Sequence, residues 1–167
     1  MYPPQFDYYR PASVAEALLL QKEHDGKYLA GGHSLIPVMK LRLSDPGVLI
    51  DIGRLNDLKG IDINGNMSSI RALTTYAEIE KAEGLPDMVT EAVGWIGDQM
   101  VRNRGTIGGS IAHADPASDM PTVLTALNAV ISTVGSDATR RISADDFFTG
   151  LFETDLSENE IVAEIEF

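Results

Sequence analysis

Leu29-Ala30-Gly31-Gly32-His33-Ser34-Leu35-Ile36-Pro37-Val38-Met39-Lys40 decides how this chain is read, because it passes from an apolar strand into a helix through two consecutive glycines. Glycine lacks a Cβ and tolerates positive φ, so successive N–H groups at such a turn can converge into an anion-binding concavity. A helix that starts just beyond adds partial positive charge. Working back from the turn, Tyr28-Leu29-Ala30 reads as a short strand, entered through the breaker Asp25-Gly26. Before it, Ser13-Val14-Ala15-Glu16 has capping-box spacing and predicts a helix over Val14 to His24, with Val14, Ala17, Leu18 and Leu20 facing a core. Working forward, a helix is expected from about Leu35 to Leu43. It stops before Asp45-Pro46-Gly47, and Val48 to Ile52 follows as a strand. Residues 1–55 thus read as a small α/β subdomain.

The pattern changes after Asn56. Gly60 to Ile63 and Ser69 to Ala72 flank Asn64-Gly65-Asn66, a hairpin signal. Thr75-Tyr76-Ala77-Glu78 repeats the capping-box spacing before a short helix, and a longer helix is expected from Asp87 to Ile96, with Trp95 in the core. A glycine-bearing loop is expected over roughly 102–119. A helix from Pro121 to about Leu127, a strand over Val130 to Val134 and a closing strand from Ile161 to Phe167 complete a second, α+β subdomain over residues 56–167.

Composition narrows the function classes. The absence of cysteine excludes disulfides, a thiolate zinc site and a protein-ligated iron–sulfur cluster on these residues. A net charge of −12 opposes a phosphate backbone and argues against nucleic-acid binding. No apolar run approaches the roughly 20 residues of a membrane span. The start Met1-Tyr2-Pro3-Pro4 carries neither the basic nor the apolar region of a signal peptide, so a cytoplasmic location is the default expectation.

A second glycine pair, in Thr106-Ile107-Gly108-Gly109-Ser110, again offers bare backbone to a ligand. Neither pair belongs to a Walker A loop, and neither carries the G-x-G-x-x-G dinucleotide fingerprint, so another phosphate cradle is needed. The first segment closely resembles the first flavin motif of carbon monoxide dehydrogenase medium subunits. Gln99 to Asp119, which contains Arg102-Asn103-Arg104-Gly105-Thr106-Ile107-Gly108-Gly109, resembles their second. The chain is therefore similar, from Phe6 to Phe167, to the FAD-binding medium subunits of the carbon monoxide dehydrogenase and xanthine dehydrogenase (molybdenum hydroxylase) family.

That resemblance implies an α+β, PCMH-type FAD-binding fold with the cofactor in the crevice between two subdomains, and the family's C-terminal domain absent. It implies that Leu29, Ala30, Gly31, Gly32, His33, Ser34 and Leu35, together with Thr106, Ile107, Gly108, Gly109 and Ser110, bind the cofactor, with backbone amides from about Ala30 to Ser34 and from Thr106 to Ser110 holding the FAD pyrophosphate and the Ser34, Thr106 and Ser110 hydroxyls adding hydrogen bonds. Asp119 would accept from a ribose hydroxyl, a role an ionised carboxylate suits; the alternative is that it caps the helix near Pro121. Ile161 and Val162, in a strand resembling the family's "E-I-L" segment, would approach the isoalloxazine, or simply edge the core. No residue is expected to be catalytic and no metal is expected on this chain. Lys40 and Arg42 are expected as surface charges, and Arg102 and Arg104 as shaping the second loop. The implied partners are a large molybdopterin-binding subunit and a small subunit with [2Fe–2S] clusters, the FAD passing electrons to an acceptor. Flavin retention through dialysis by this chain alone is expected to be weak or absent. Competing readings are an assembly module of the same complex and a metal-dependent hydrolase built on His33, His113, Asp115 and Asp119.

Overall fold

The computed structural model describes residues 2–167. Its N-terminal part alternates β1 (Asp7–Tyr9), α1 (Val14–His24), β2 (Lys27–Leu29), α2 (Leu35–Lys40) and β3 (Val48–Asp51). The three strands form a parallel sheet in the order β1-β3-β2. Parallel strands need crossovers, which α1 and α2 supply. At the start of α1 the Ser13 hydroxyl accepts from the Glu16 amide at 3.2 Å. The Glu16 carboxylate reaches past Ser13 to the Ala12 amide at 2.7 Å, one residue beyond a reciprocal capping box. Left-handed Asp25 ends the helix. The second helix is shorter than its apolar pattern suggests: Arg42 turns left-handed at φ 63° and the Leu43 amide folds back to the Val38 carbonyl, so Leu41 and Leu43 lie exposed.

The remainder contains β4 (Ile61–Asn64), β5 (Met67–Arg71), α3 (Tyr76–Ile79), α4 (Asp87–Trp95), α5 (Gln99–Arg102), α6 (Ile107–His113), α7 (Met120–Ala126), β6 (Val130–Gly135), β7 (Thr139–Ser143), α8 (Ala144–Phe147), β8 (Phe148–Gly150), β9 (Glu153–Thr154) and β10 (Glu160–Glu166). Five of these strands make an antiparallel sheet in the order β4-β5-β10-β6-β7. Gly65, at φ 62°, turns the β4–β5 hairpin. Thr75 and Glu78 form a complete capping box at α3.

Two apolar clusters hold these parts together. The larger joins the five-stranded sheet to its helices through residues such as Ile70, Val93, Ile111, Leu124 and Ile165. The smaller gathers Ala17, Leu18, Ile50 and Ile52 from the N-terminal part with Leu58, Leu73 and Ile161 from the rest. Burial across that seam fixes the two sheets against each other.

Two further expectations need correction. Residues 102–119 are not a plain loop, because Ile107–His113 is helical and Gly108-Gly109 lie in its first turn. Thr106 caps that turn, its Oγ1 accepting from the Gly109 amide at 3.3 Å. Glycine's poor helix propensity hid the element. Gly108 is nonetheless required there, since a Cβ would fall 2.4 Å from the Ala72 Cβ. Trp95, expected in the core, is 79% exposed. The buried stripe of α4 runs through Val89 and Val93, and Trp95, two residues further on, faces away from it.

Candidate functional site

The turn after β2, the start of α6, the α4–α5 connection, α3 and the head of β10 surround one crevice of about 590 Å³. That lies within the roughly 300–1,000 Å³ usual for small-molecule sites. The two glycine pairs meet in it. A Cβ on Gly31 would sit 2.0 Å from the Arg104 carbonyl oxygen, and one on Gly109 would lie 3.4 Å from the Ala30 Cβ. The segments that carry the two motifs are therefore in direct backbone contact although some 75 residues of sequence separate them.

Their amides are not equivalent. Among the described residues, the N–H groups of Gly31, Gly32, His33, Ser34 and Leu35 find no protein acceptor. Gly32, at φ 76°, lets this run curl. In the second motif the amides are engaged internally: Ile107 donates to Thr74 O (3.2 Å), Gly108 to Ala72 O (2.8 Å), Gly109 to Thr106 Oγ1 and Ser110 to Thr106 O (3.0 Å). The first motif thus offers five consecutive donors, and the second offers close packing and hydroxyls. Because α2 spans only six residues, these amides matter more than any helix dipole.

Side chains around the rim follow the same logic. Asp119 precedes α7 but makes no capping bond, and its exposed carboxylate lines the crevice. Ser34 likewise makes no cap bond. The head of β10 pairs with β6 from Glu160 onward but with β5 only from Glu164, so around Ile161 and Val162 one backbone edge is open toward the crevice. Glu160 is fixed behind it: Arg140 Nε and Nη2 donate to its carboxylate at 2.8 and 2.7 Å, and the Thr133 hydroxyl donates at 3.2 Å. The Arg140 hydrogen bonds outweigh burial and hold the Glu160 carboxyl down at about 2.

A crevice built from free backbone donors, two glycine-bearing turns and a free carboxylate suits a ligand with a diphosphate and a diol. Residues 4–167 match the family model described as "FAD binding domain in molybdopterin dehydrogenase". The chain belongs to that family. Among curated relatives, this flavin domain is 47% identical to the glyceraldehyde dehydrogenase medium chain of Sulfolobus acidocaldarius, over 99% of its own length and 60% of that protein's. It is 44% identical to the carbon monoxide dehydrogenase medium chain of Hydrogenophaga pseudoflava, over 99% and 59%. The solved carbon monoxide dehydrogenase of the latter organism, in a form lacking the Mo-pyranopterin moiety, superposes with a TM-score of 0.96 at 43% identity, over 99% of this chain and 60% of that one. The domain spans about 60% of the length of these relatives. Among the described residues no helix is long and apolar enough to cross a membrane.

Of the positions nominated from sequence, Leu29 to Leu35, Thr106, Gly108 to Ser110, Asp119, Ile161 and Val162 all line the crevice of the flavin domain. Ile107 does not: it is fully buried in the larger core and its amide is bound to Thr74, because it occupies the inward face of α6. His33, His113, Asp115 and Asp119 also reach the crevice, but no three His, Asp or Glu groups among the described residues are placed to hold a metal ion. Tyr76, Ile96, Gly105, Phe152 and Glu160 line it too and were not nominated. Gly105 and Glu160 sit within or beside the quoted motifs, whereas Tyr76, Ile96 and Phe152 reach the crevice through long-range packing.

Proposed function

We propose that the five amides of Gly31 to Leu35 cradle the FAD diphosphate, and that the Ser34, Thr106 and Ser110 hydroxyls complete the grip. Thr106 Oγ1 already accepts from the Gly109 amide, which leaves its proton free to donate to an oxygen of the ligand. Asp119 takes the ribose diol, and the open edge at Ile161 and Val162 borders the isoalloxazine. Leu29, Ala30, His33, Gly108 and Gly109 shape the walls. Residues 1–55 and 56–167 act as two subdomains closing on the cofactor from either side. The observation that carries this reading is the run of five amides without a protein acceptor on the wall of the crevice that the second motif also lines.

Bound FAD supplies one-electron and two-electron exchange. Held here, it would serve the FAD-carrying part of a molybdenum hydroxylase, standing between [2Fe–2S] clusters on a small partner subunit and an acceptor, with substrate oxidised at molybdopterin on a large subunit. The medium-chain names of the relatives support this assignment. The residues of this chain bind, orient and shield, and none is required to act as acid or base.

Titration with FAD, followed by quenching of flavin fluorescence, tests the reading. The wild-type chain should quench saturably, and Gly32→Val with Gly109→Val should abolish quenching, with circular dichroism and the thermal midpoint measured alongside because valine is strained at the φ of 76° that Gly32 adopts. Unchanged quenching in the double variant would remove both turns from the site.

A further inference from the structure

Tyr76, at the first position of α3, is 3% exposed, and its hydroxyl is buried without a hydrogen-bond partner. Its ring is held from behind. The Tyr76 amide donates to the Gly105 carbonyl at 3.0 Å, and Gly105 packs so closely that a Cβ there would lie 3.1 Å from Tyr76 Cδ2. Burial pushes the phenol up to about 12, with the Ser110 hydroxyl pulling weakly the other way, so it is a neutral donor over the physiological range. Ser110 is a half-buried hydroxyl side chain beside it, yet the Tyr76 hydroxyl finds no hydrogen-bond partner among the described residues. Both residues line the crevice.

A buried hydroxyl left unpaired is costly, and a phenylalanine would fill the same space without that cost. An unpaired phenol behind the half-buried Ser110 hydroxyl of the crevice wall forms a relay lacking only its final acceptor. We propose that Tyr76 is a positioning residue for the cofactor: when FAD binds, its phenol donates to Ser110 Oγ, and the Ser110 proton is thereby aimed at a diphosphate oxygen. This rests on the reading of the crevice as the FAD site. Each hydroxyl then donates one hydrogen bond, and the anion terminates the chain, where charge-assisted bonds are strongest.

The test combines Tyr76→Phe, Ser110→Ala and the double variant, measuring the FAD dissociation constant by fluorescence quenching and the thermal midpoint of the FAD-free chain. Tyr76→Phe should weaken FAD binding by about five- to tenfold while leaving the FAD-free midpoint unchanged or raised. The double variant should bind no worse than Ser110→Ala alone, since the phenol acts only through that serine. Wild-type affinity in Tyr76→Phe, additive losses in the double variant, or a fall in affinity matched by a fall in the FAD-free midpoint would each overturn the relay. Absence of saturable quenching in the wild-type chain would instead overturn the crevice reading beneath it.

Discussion

Replacing Gly31 with alanine tests whether the contact between the two motif segments is as tight as the structure makes it. Gly31 does not have positive φ, so alanine brings no backbone strain and the perturbation is purely steric. The new Cβ would lie 2.0 Å from the Arg104 carbonyl oxygen and 2.8 Å from its carbon, where ordinary contact begins near 3.4 Å. Both partners are backbone, so no side chain can rotate away, and the segments must part. Overpacking of this kind costs about 3 kcal/mol or more, the upper end of the usual range. For a domain of this size that lowers the thermal midpoint by roughly 6–12 °C. FAD affinity should fall with it, because the parted segments are the walls of the crevice. Gly94→Ala is the matched control: Gly94 lies in α4, has nothing within 4 Å of an added Cβ, and should gain about 0.5–1 kcal/mol from better helix propensity. Urea denaturation of both variants reads the result. A Gly31→Ala chain within about 0.5 kcal/mol of wild type, the noise expected for an unconstrained surface site, would refute the close approach.

Asp119→Asn should weaken FAD by about 10- to 100-fold, the loss of a charge-assisted bond, without moving the FAD-free thermal midpoint, because the side chain caps nothing; a lower midpoint would restore Asp119 to a structural role. Glu160 gives a pH dependence of definite sign. Its folded carboxyl is held at about 2 against an ordinary 4.5, so its contribution is present above pH 4.5 and lost as pH falls toward 2. Arg140→Met should flatten that part of the urea-midpoint profile, and an unchanged slope would mean that Arg140 is not the cause.

Local chemistry made much of this legible in advance. The boundaries of α1 followed from Ser13 and Asp25-Gly26, the hairpin from Asn64-Gly65-Asn66, and the order of strand, glycine pair and helix around Gly31-Gly32 from hydrophobic pattern and glycine alone, although the helix ends at Lys40 and not at Leu43. Errors appeared where tertiary packing overrode propensity. Gly108-Gly109 sit in a helix whose first turn Thr106 caps, and Gly108 is glycine because Ala72 leaves no room for a Cβ, neither of which a glycine-rich stretch advertises. The unequal state of the two sets of amides was also hidden, since it depends on carbonyls of Ala72 and Thr74 more than 30 residues away. Trp95 faces solvent, and an apolar neighbourhood says little about which face of a nine-residue helix is covered. Tyr76 and the Arg140–Glu160 pair are products of pairing between distant strands and turns, and carry no local signal. β7, α8 and the β8–β9 hairpin went unread for lack of apolar periodicity in residues 139–154.

Amide-resolved NMR during an FAD titration goes most directly to the central claim that the first turn supplies the diphosphate donors. The resonances of Gly31, Gly32, His33, Ser34 and Leu35 should move furthest and saturate together, while the internally bonded amides of Ile107 and Gly108 move little. Saturable binding that leaves all five unmoved would contradict the account.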